Sequence, residues 1–266
     1  MKTVVFQGGL GNQIFQYFFY KYVEERIDHD VRYIDCKKGN NHNGFEILNY
    51  FAIEMRKAPW YIQLDFRIRE LFKFRGPFSL KESGENEIKT TKQKYYVGYW
   101  QNKRFFEDSS IEFKKLTLSE RNNNVLKEIL NTNSIAIHVR RGDYLYPQYV
   151  HIYGGICTID YYQKALDICI GKMPKPSFFI FSDDIAWTKK NLEIEGAVYI
   201  SWNNGDDSIF DLYLMSHAKA IIMANSTFSF WGAYINNPQK LVVYPKKWYN
   251  SVFQTPDIFP KEWLGI

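Results

Sequence analysis

The chain has 266 residues, 45% of them apolar and 18% aromatic, and its 34 basic and 29 acidic side chains leave a net charge of +5. That much apolar material excludes a disordered chain and suffices for one large α/β domain or two ordinary ones. The mild positive charge suits an anionic small ligand or an acidic membrane surface better than duplex DNA.

Three cysteines without a C-x-x-C pair, Cys36, Cys157 and Cys169, argue against a disulfide or zinc framework and for a reducing compartment. Met1-Lys2 leads straight into an apolar strand, Thr3 to Phe6, without the pattern of a signal peptide. No apolar run approaches the ~20 residues of a membrane span. The expected location is therefore cytoplasmic, with weak peripheral contact at the inner face of the membrane as the alternative.

In chain order, residues 3–6 read as a buried strand, Gly8 to Gln13 as a tight glycine turn, and Ile14 to Ile27 as a helix. The turn is no dinucleotide fingerprint, because Ile14 stands where the third glycine of G-x-G-x-x-G belongs. Its glycines still let backbone N–H groups approach an anion at a helix N-terminus, although a plain strand-to-helix turn needs them equally. A second strand follows at Val31 to Asp35, then a polar loop from Lys37 to Asn43. An aromatic-rich helical region runs from about Phe45 to Phe74 and is broken by Gly76-Pro77. Residues 79–94 read as a polar excursion, and Tyr95 to Trp100 as a returning strand. Thr117-x-x-Glu120 has the form of a capping box opening a helix to about Leu130, and Asn131-Thr132-Asn133 marks a domain boundary.

The second half alternates regularly. Strands are expected at 134–139, 178–181, 197–200, 220–223 and 241–244, and helices near 159–171, 184–194, 206–218 and 226–236. That alternation predicts a doubly wound parallel sheet. The expected organisation is two α/β halves, 1–132 and 133–266.

Three strand ends in the second half carry polar groups. His138-Val139-Arg140-Arg141-Gly142-Asp143-Tyr144 follows the first, Ser182-Asp183-Asp184 the second, and Asn225-Ser226-Thr227 the fourth. Ligands of open α/β sheets bind outside the carboxyl ends of the strands. A guanidinium there suits a diphosphate, because its planar fork donates paired hydrogen bonds and stays charged. Each motif also has a plainer reading. Arg140 and Arg141 can be a solvated cluster, Asp183, Asn225 and Ser226 helix caps, and His138 a satisfied core histidine. Convergence of three strand ends on one crevice favours a site. Asp183 and Asp184 are adjacent and lack a third ligand at a telling spacing, so no metal is expected. His151 lies in an aromatic loop, Tyr149 to Gly155, and is an acid–base candidate by exposure. No G-x-S-x-G, P-loop or H-E-x-x-H motif is present.

The stretches GGLGNQIFQYFFY (8–20), IHVRRGDY (137–144), CTIDYYQKAL (157–166), FSDDIAW (181–187) and MANSTFSFWGAYIN (223–236) resemble glycosyltransferase family 11, the bacterial α-1,2-fucosyltransferases. The resemblance implies a GT-B-like fold, two Rossmann-like halves facing across a cleft, with the first on the acceptor side and the second binding GDP-β-L-fucose. It implies metal-independent, inverting transfer of L-fucose to the 2-hydroxyl of a terminal galactose in surface-glycan or O-antigen synthesis.

On matching positions, Arg140 would hold the β-phosphate and Arg141 support it. His138 and one of Asp183 and Asp184 would face the guanosine, and Asn225, Ser226 and Thr227 would complete the donor site. Gly9, Gly11 and Asn12 would close over the donor. Related α-1,6 enzymes carry a glutamate shortly after the arginine motif, and this chain has none there. Asp143 is the first candidate for the base and His151 the second, with Asp143 as a structural partner of an arginine the competing assignment. Other readings are a GDP-fucose-dependent transferase with another acceptor or linkage, and a non-catalytic glycan- or nucleotide-binding module.

Overall fold

The computed structural model describes residues 1–36, 43–71, 93–237, 240–250 and 254–266, with 79–81 described as backbone. Most of the Lys37–Asn43 loop, the Gly76-Pro77 break and most of the 79–94 excursion lie outside the described residues. The chain divides into two units, Met1–Lys114 and Lys115–Ile266.

The first unit contains β1 (Lys2–Phe6), α1 (Leu10–Arg26), β2 (Val31–Asp35), α2 (Ile47–Tyr50), α3 (Trp60–Leu71), β3 (Ser79–Lys81) and β4 (Tyr95–Val97). Its sheet runs β2-β1-β4-β3, and every pairing is parallel. β1 ends in the apolar run Val4-Val5-Phe6 because it is central: Val4 and Val5 are both fully buried. Helix α1 begins at Leu10 rather than Ile14, so Gly11, Asn12 and Gln13 form its first turn. The chain reverses so abruptly because Gly8 sits at φ +77°, where a Cβ would also come within 2.8 Å of Asn12 Nδ2.

Over its described residues, 45–71, the helical region expected at 45–74 is two helices. Between them the Tyr33 N–H donates to Arg56 O and the Ala58 N–H donates to Tyr33 O, which holds the chain extended beside β2. Many of the aromatics are core here: Phe19 stacks on Trp100 at 3.8 Å, and Phe15 and Phe18 pack on Phe106.

The second unit contains α4 (Glu120–Asn131), β5 (Asn133–Val139), α5 (Val150–Tyr153), α6 (Ile159–Lys172), β6 (Pro176–Ser182), α7 (Ile185–Asn191), β7 (Val198–Ile200), α8 (Ser208–His217), β8 (Ala220–Ile222), α9 (Thr227–Tyr234), β9 (Leu241–Tyr244) and β10 (Leu264–Gly265). All strands are parallel, in the order β10-β9-β8-β5-β6-β7. Counted from β5 this is 3-2-1-4-5-6, the doubly wound Rossmann order, with its switch point between β5 and β8.

The division lies near residue 114 rather than 132, because α4 packs with the second unit. Its Val125 and Ile129 are buried, and its Asn122 exchanges side-chain hydrogen bonds with Asn203 at 2.9 and 3.2 Å. The cap of α4 is Ser119, whose hydroxyl accepts from Asn122 N–H, and not Thr117. The expected strands and helices of this half are otherwise found, with α5 and β10 in addition.

Candidate active site

The switch point of the second sheet is where a ligand is expected, and a cleft opens there. Arg140, Arg141 and Tyr144 line it from the loop after β5, Asn225 from the end of β8, Gly154, Gly155, Cys157 and Thr158 from the approach to α6, and Trp187 from α7.

Arg140 is held by two carboxylates. Its Nη2 lies 2.7 Å from Asp143 Oδ1, and its Nη1 lies 3.1 Å from Asp183 Oδ2. Burial works against its charge, and Asp183 and then Asp143 more than offset that, so its pKa is raised. Both Nη atoms are thereby engaged by carboxylates, and Arg140 still lines the cleft. Arg141 is fixed on three sides. Its backbone N–H donates to Asp183 Oδ1 (2.8 Å), its Nε donates to Asp184 Oδ2 (3.2 Å), and its guanidinium stacks 3.7 Å over the Trp187 ring.

Asp183 thus ties the end of β6 to the loop after β5, and Gly142 makes room for it: a Cβ there would lie 2.5 Å from Asp183 Oδ2. Asp184 also caps α7 through Trp187 N–H. The two aspartates are internal partners of the arginines and do not line the cleft themselves.

Asn225 is a hub rather than a free donor. Its Nδ2 donates to Tyr153 O (3.3 Å) and Trp248 O (3.2 Å), and its Oδ1 accepts from Cys157 Sγ (3.5 Å). Its carbonyl accepts from Tyr144 Oη at 2.9 Å. Burial pushes the Cys157 thiol up to about 12 and raises the Tyr144 phenol further, so both remain protonated donors at neutral pH. One buried amide therefore fixes the walls of the cleft. Ser226 follows as the N-cap of α9, accepting from Phe228 N–H, and half-buried Thr227 opens that helix.

His138 lies in the core beneath the strand end and is only 6% exposed. Its Nδ1 is 2.5 Å from Ser229 Oγ, and that hydroxyl also accepts from Ala224 N–H. Burial, and secondly the Arg140 charge, lower its pKa to about 3, so the ring is neutral. This is the arrangement of a satisfied core histidine. His151 is exposed on α5.

In the first unit, Gly9 caps α1, Gly11 is buried in its first turn, and Asn12 Oδ1 accepts from Gln101 Nε2. The glutamines of that motif are buried crosslinks. Gln13 donates to Gly8 O and Gly44 O and accepts from Glu46 and Ile47 N–H, while Gln16 bonds Gln7 N–H and Gly98 O. Among the described residues no group of three or more His, Cys, Asp or Glu side chains is placed to hold a metal ion.

Tyr144, Cys157, Thr158 and Trp187 were not singled out by residue chemistry. The signal that could have found them is position, since each lies inside a stretch that carries the family resemblance. The paired tyrosines of CTIDYYQKAL have a physical reason as well. Tyr162 Oη donates to His138 O, and Tyr161 Oη donates to Met223 O, which moors α6 to the ends of β5 and β8.

The family model for glycosyl transferase family 11 matches residues 1–266. The chain belongs to glycosyltransferase family 11. Among curated relatives of this family 11 chain, an α-1,2-colitosyltransferase of Escherichia coli is 30% identical over 97% of this chain and 96% of its own. The O-antigen biosynthesis glycosyltransferase WbnK of Escherichia coli is 27% identical over 91% and 93%. Bovine galactoside α-(1,2)-fucosyltransferase 1 is 28% identical over 50% of this chain and 38% of its own length. Among solved structures, POFUT1 in complex with GDP aligns over 91% of this chain and 98% of its own at 12% identity, with a TM-score of 0.46.

Proposed function

We propose that the protein is a metal-independent, inverting transferase that moves L-fucose from GDP-β-L-fucose to the 2-hydroxyl of a terminal galactose during O-antigen or other surface-glycan synthesis. The observation that carries this reading is Arg140, held by Asp143 and Asp183 at the sheet's switch point, where it lines the cleft. Family membership and the named activities of the relatives support the sugar and the linkage.

In the reaction the acceptor oxygen attacks C1 of fucose as the bond from C1 to the β-phosphate oxygen breaks, and GDP leaves with the bonding electrons. Arg140 offsets the charge gathering on that oxygen, and Arg141 braces the loop. The N-termini of α6 and α9, with Ser226 and Thr227, add positive partial charge for the diphosphate. The developing sugar cation resembles that of glycoside hydrolysis, so most of the rate comes from positioning and leaving-group stabilisation.

The hydroxyl proton passes to a base, for which Asp143 is proposed first and exposed His151 second. Asp143→Asn separates two roles of that carboxylate. Loss of a base lowers kcat at unchanged donor KM, whereas loss of the grip on Arg140 raises donor KM.

GDP release from GDP-fucose with lactose tests the proposal. Release that needs lactose, ignores EDTA and falls about a thousandfold in Arg140→Ala is expected. Release abolished by EDTA, or unaffected by that substitution, would contradict it. The 30% identity to a colitosyltransferase favours one second reading, in which the donor lacks the 3-hydroxyl of fucose. Direct competition between GDP-fucose and GDP-colitose decides between them.

A further inference from the structure

Helix α3 of the first unit carries apolar residues on two faces. Ile62 and Phe66 are buried against Val5, Ile34, Ala58 and Tyr95, which accounts for one face. The other is turned to solvent: Trp60 is 75% exposed, Tyr61 53%, Leu64 48%, Ile68 46% and Leu71 77%. Trp60, Leu64, Ile68 and Leu71 recur at helical spacing and Tyr61 flanks them, so the five form one stripe along the helix. Isolated exposed leucines need no explanation, but a contiguous stripe with an indole at 75% exposure does.

The borders of the stripe are charged in one direction. Arg67 is exposed along one border. On the other, the Asp65 carboxylate is taken up by Arg69 (2.9 Å), Lys94 (2.8 Å) and the Tyr95 hydroxyl, so the acid there is more than matched by cations. Of the neighbouring cations, Arg56 is paired with Glu24 and Lys57 with Asp35, each at 3.3 Å, whereas Arg67 stands exposed along the stripe. A helix with aliphatic side chains, an indole and a phenol on its outer face and an exposed arginine beside them has the make-up of an interfacial helix. Such a helix lies in the plane of the headgroups, with aromatic rings at the boundary and arginines toward anionic lipid. Among the described residues no helix is long and apolar enough to cross a membrane, so contact of this kind would be peripheral.

We infer that the outer face of α3 is a docking surface for an anionic lipid bilayer. The charge complementarity decides for lipid over a second copy of the chain, which would bring the same cations to the contact. The inference does not depend on the sugar transferred or on its acceptor.

Sedimentation of the full chain with vesicles tests it, comparing phosphatidylcholine alone with phosphatidylcholine mixed with phosphatidylglycerol. The wild type is expected to partition onto the mixed vesicles and much less onto the neutral ones. Combining Trp60→Ser, Leu64→Ser and Leu71→Ser should weaken partition about tenfold or more, because each side chain would otherwise leave water. Arg67→Glu should weaken it about fivefold or more on mixed vesicles only. These side chains are exposed, so thermal midpoint and far-ultraviolet circular dichroism should stay at wild-type values. Equal partition of wild type and triple variant would overturn the inference. So would a dimer in sedimentation velocity that the triple variant abolishes while neither protein binds vesicles.

Discussion

The two sheets end differently at their central strands. After β1 come Gly8 and Gly9, and the polar groups that secure the turn are uncharged: Gln13, Gln16, and Asn12 bonded to Gln101. After β5 come two guanidiniums locked to three carboxylates, with Gly142 admitting Asp183 between them. Amides and glycines fix a backbone path, whereas opposed charges fix the direction of side chains that must meet another charge. The charged cluster is not a simple cationic trap, since its carboxylates outnumber its arginines. They aim the arginines at some cost in attraction for an anion, which the N-termini of α6 and α9 offset.

If aim is what the charged end supplies, the largest effect should come from disturbing it without touching a charge. Gly142→Ala would push a methyl into Asp183 and shift the support of Arg140. The expected outcome is a fall of about a hundredfold in kcat/KM at nearly unchanged melting temperature, read by parallel kinetics and thermal unfolding. Asn225→Asp comes next. A carboxylate cannot donate to Tyr153 O or Trp248 O, and each lost bond should cost about 1–3 kcal/mol in denaturant titration.

The uncharged end should respond through its backbone. Gly8→Ala forces an alanine to φ +77° and against Asn12, which should cost about 1–2 kcal/mol and lower the melting temperature by several degrees. A pH effect follows from the titration of His138. The native ring takes its proton only near pH 3, while the unfolded chain's takes it near 6.5, so the unfolded state binds more protons between these values. Stability from this group is complete above about pH 6.5 and drains away as pH falls toward 3. By NMR the His138 ring resonance should stay fixed from pH 8 to pH 5.

Much of the second unit was legible in the sequence, because Ser134 to Val139, Phe178 to Phe181 and Ala220 to Ala224 are largely apolar runs that give way to charged or polar residues. The first unit was harder to read. The region 45–74 is rich in apolar and aromatic residues along its length, and its division into α2 and α3 depends on residues 56–58 bonding to β2, a tertiary fact with no local signature. The boundary at residue 132 failed for a similar reason. Asn131-Thr132-Asn133 is a real turn, but α4 before it is bound to the second unit through Asn122 and Asn203. At the site, residue chemistry singled out Arg140 and Arg141. It could not tell a residue that touches a ligand from one that holds the residue that does, and Asn225 and His138 show the difference in their hydrogen bonds.

Isothermal titration of GDP into wild type and Arg140→Ala tests the central claim most directly. A clamp formed by Arg140 predicts GDP binding to the wild type and affinity lower by about a hundredfold in the variant, without loss of fold. Equal affinity in the two proteins would mean that the diphosphate does not bind at the end of β5.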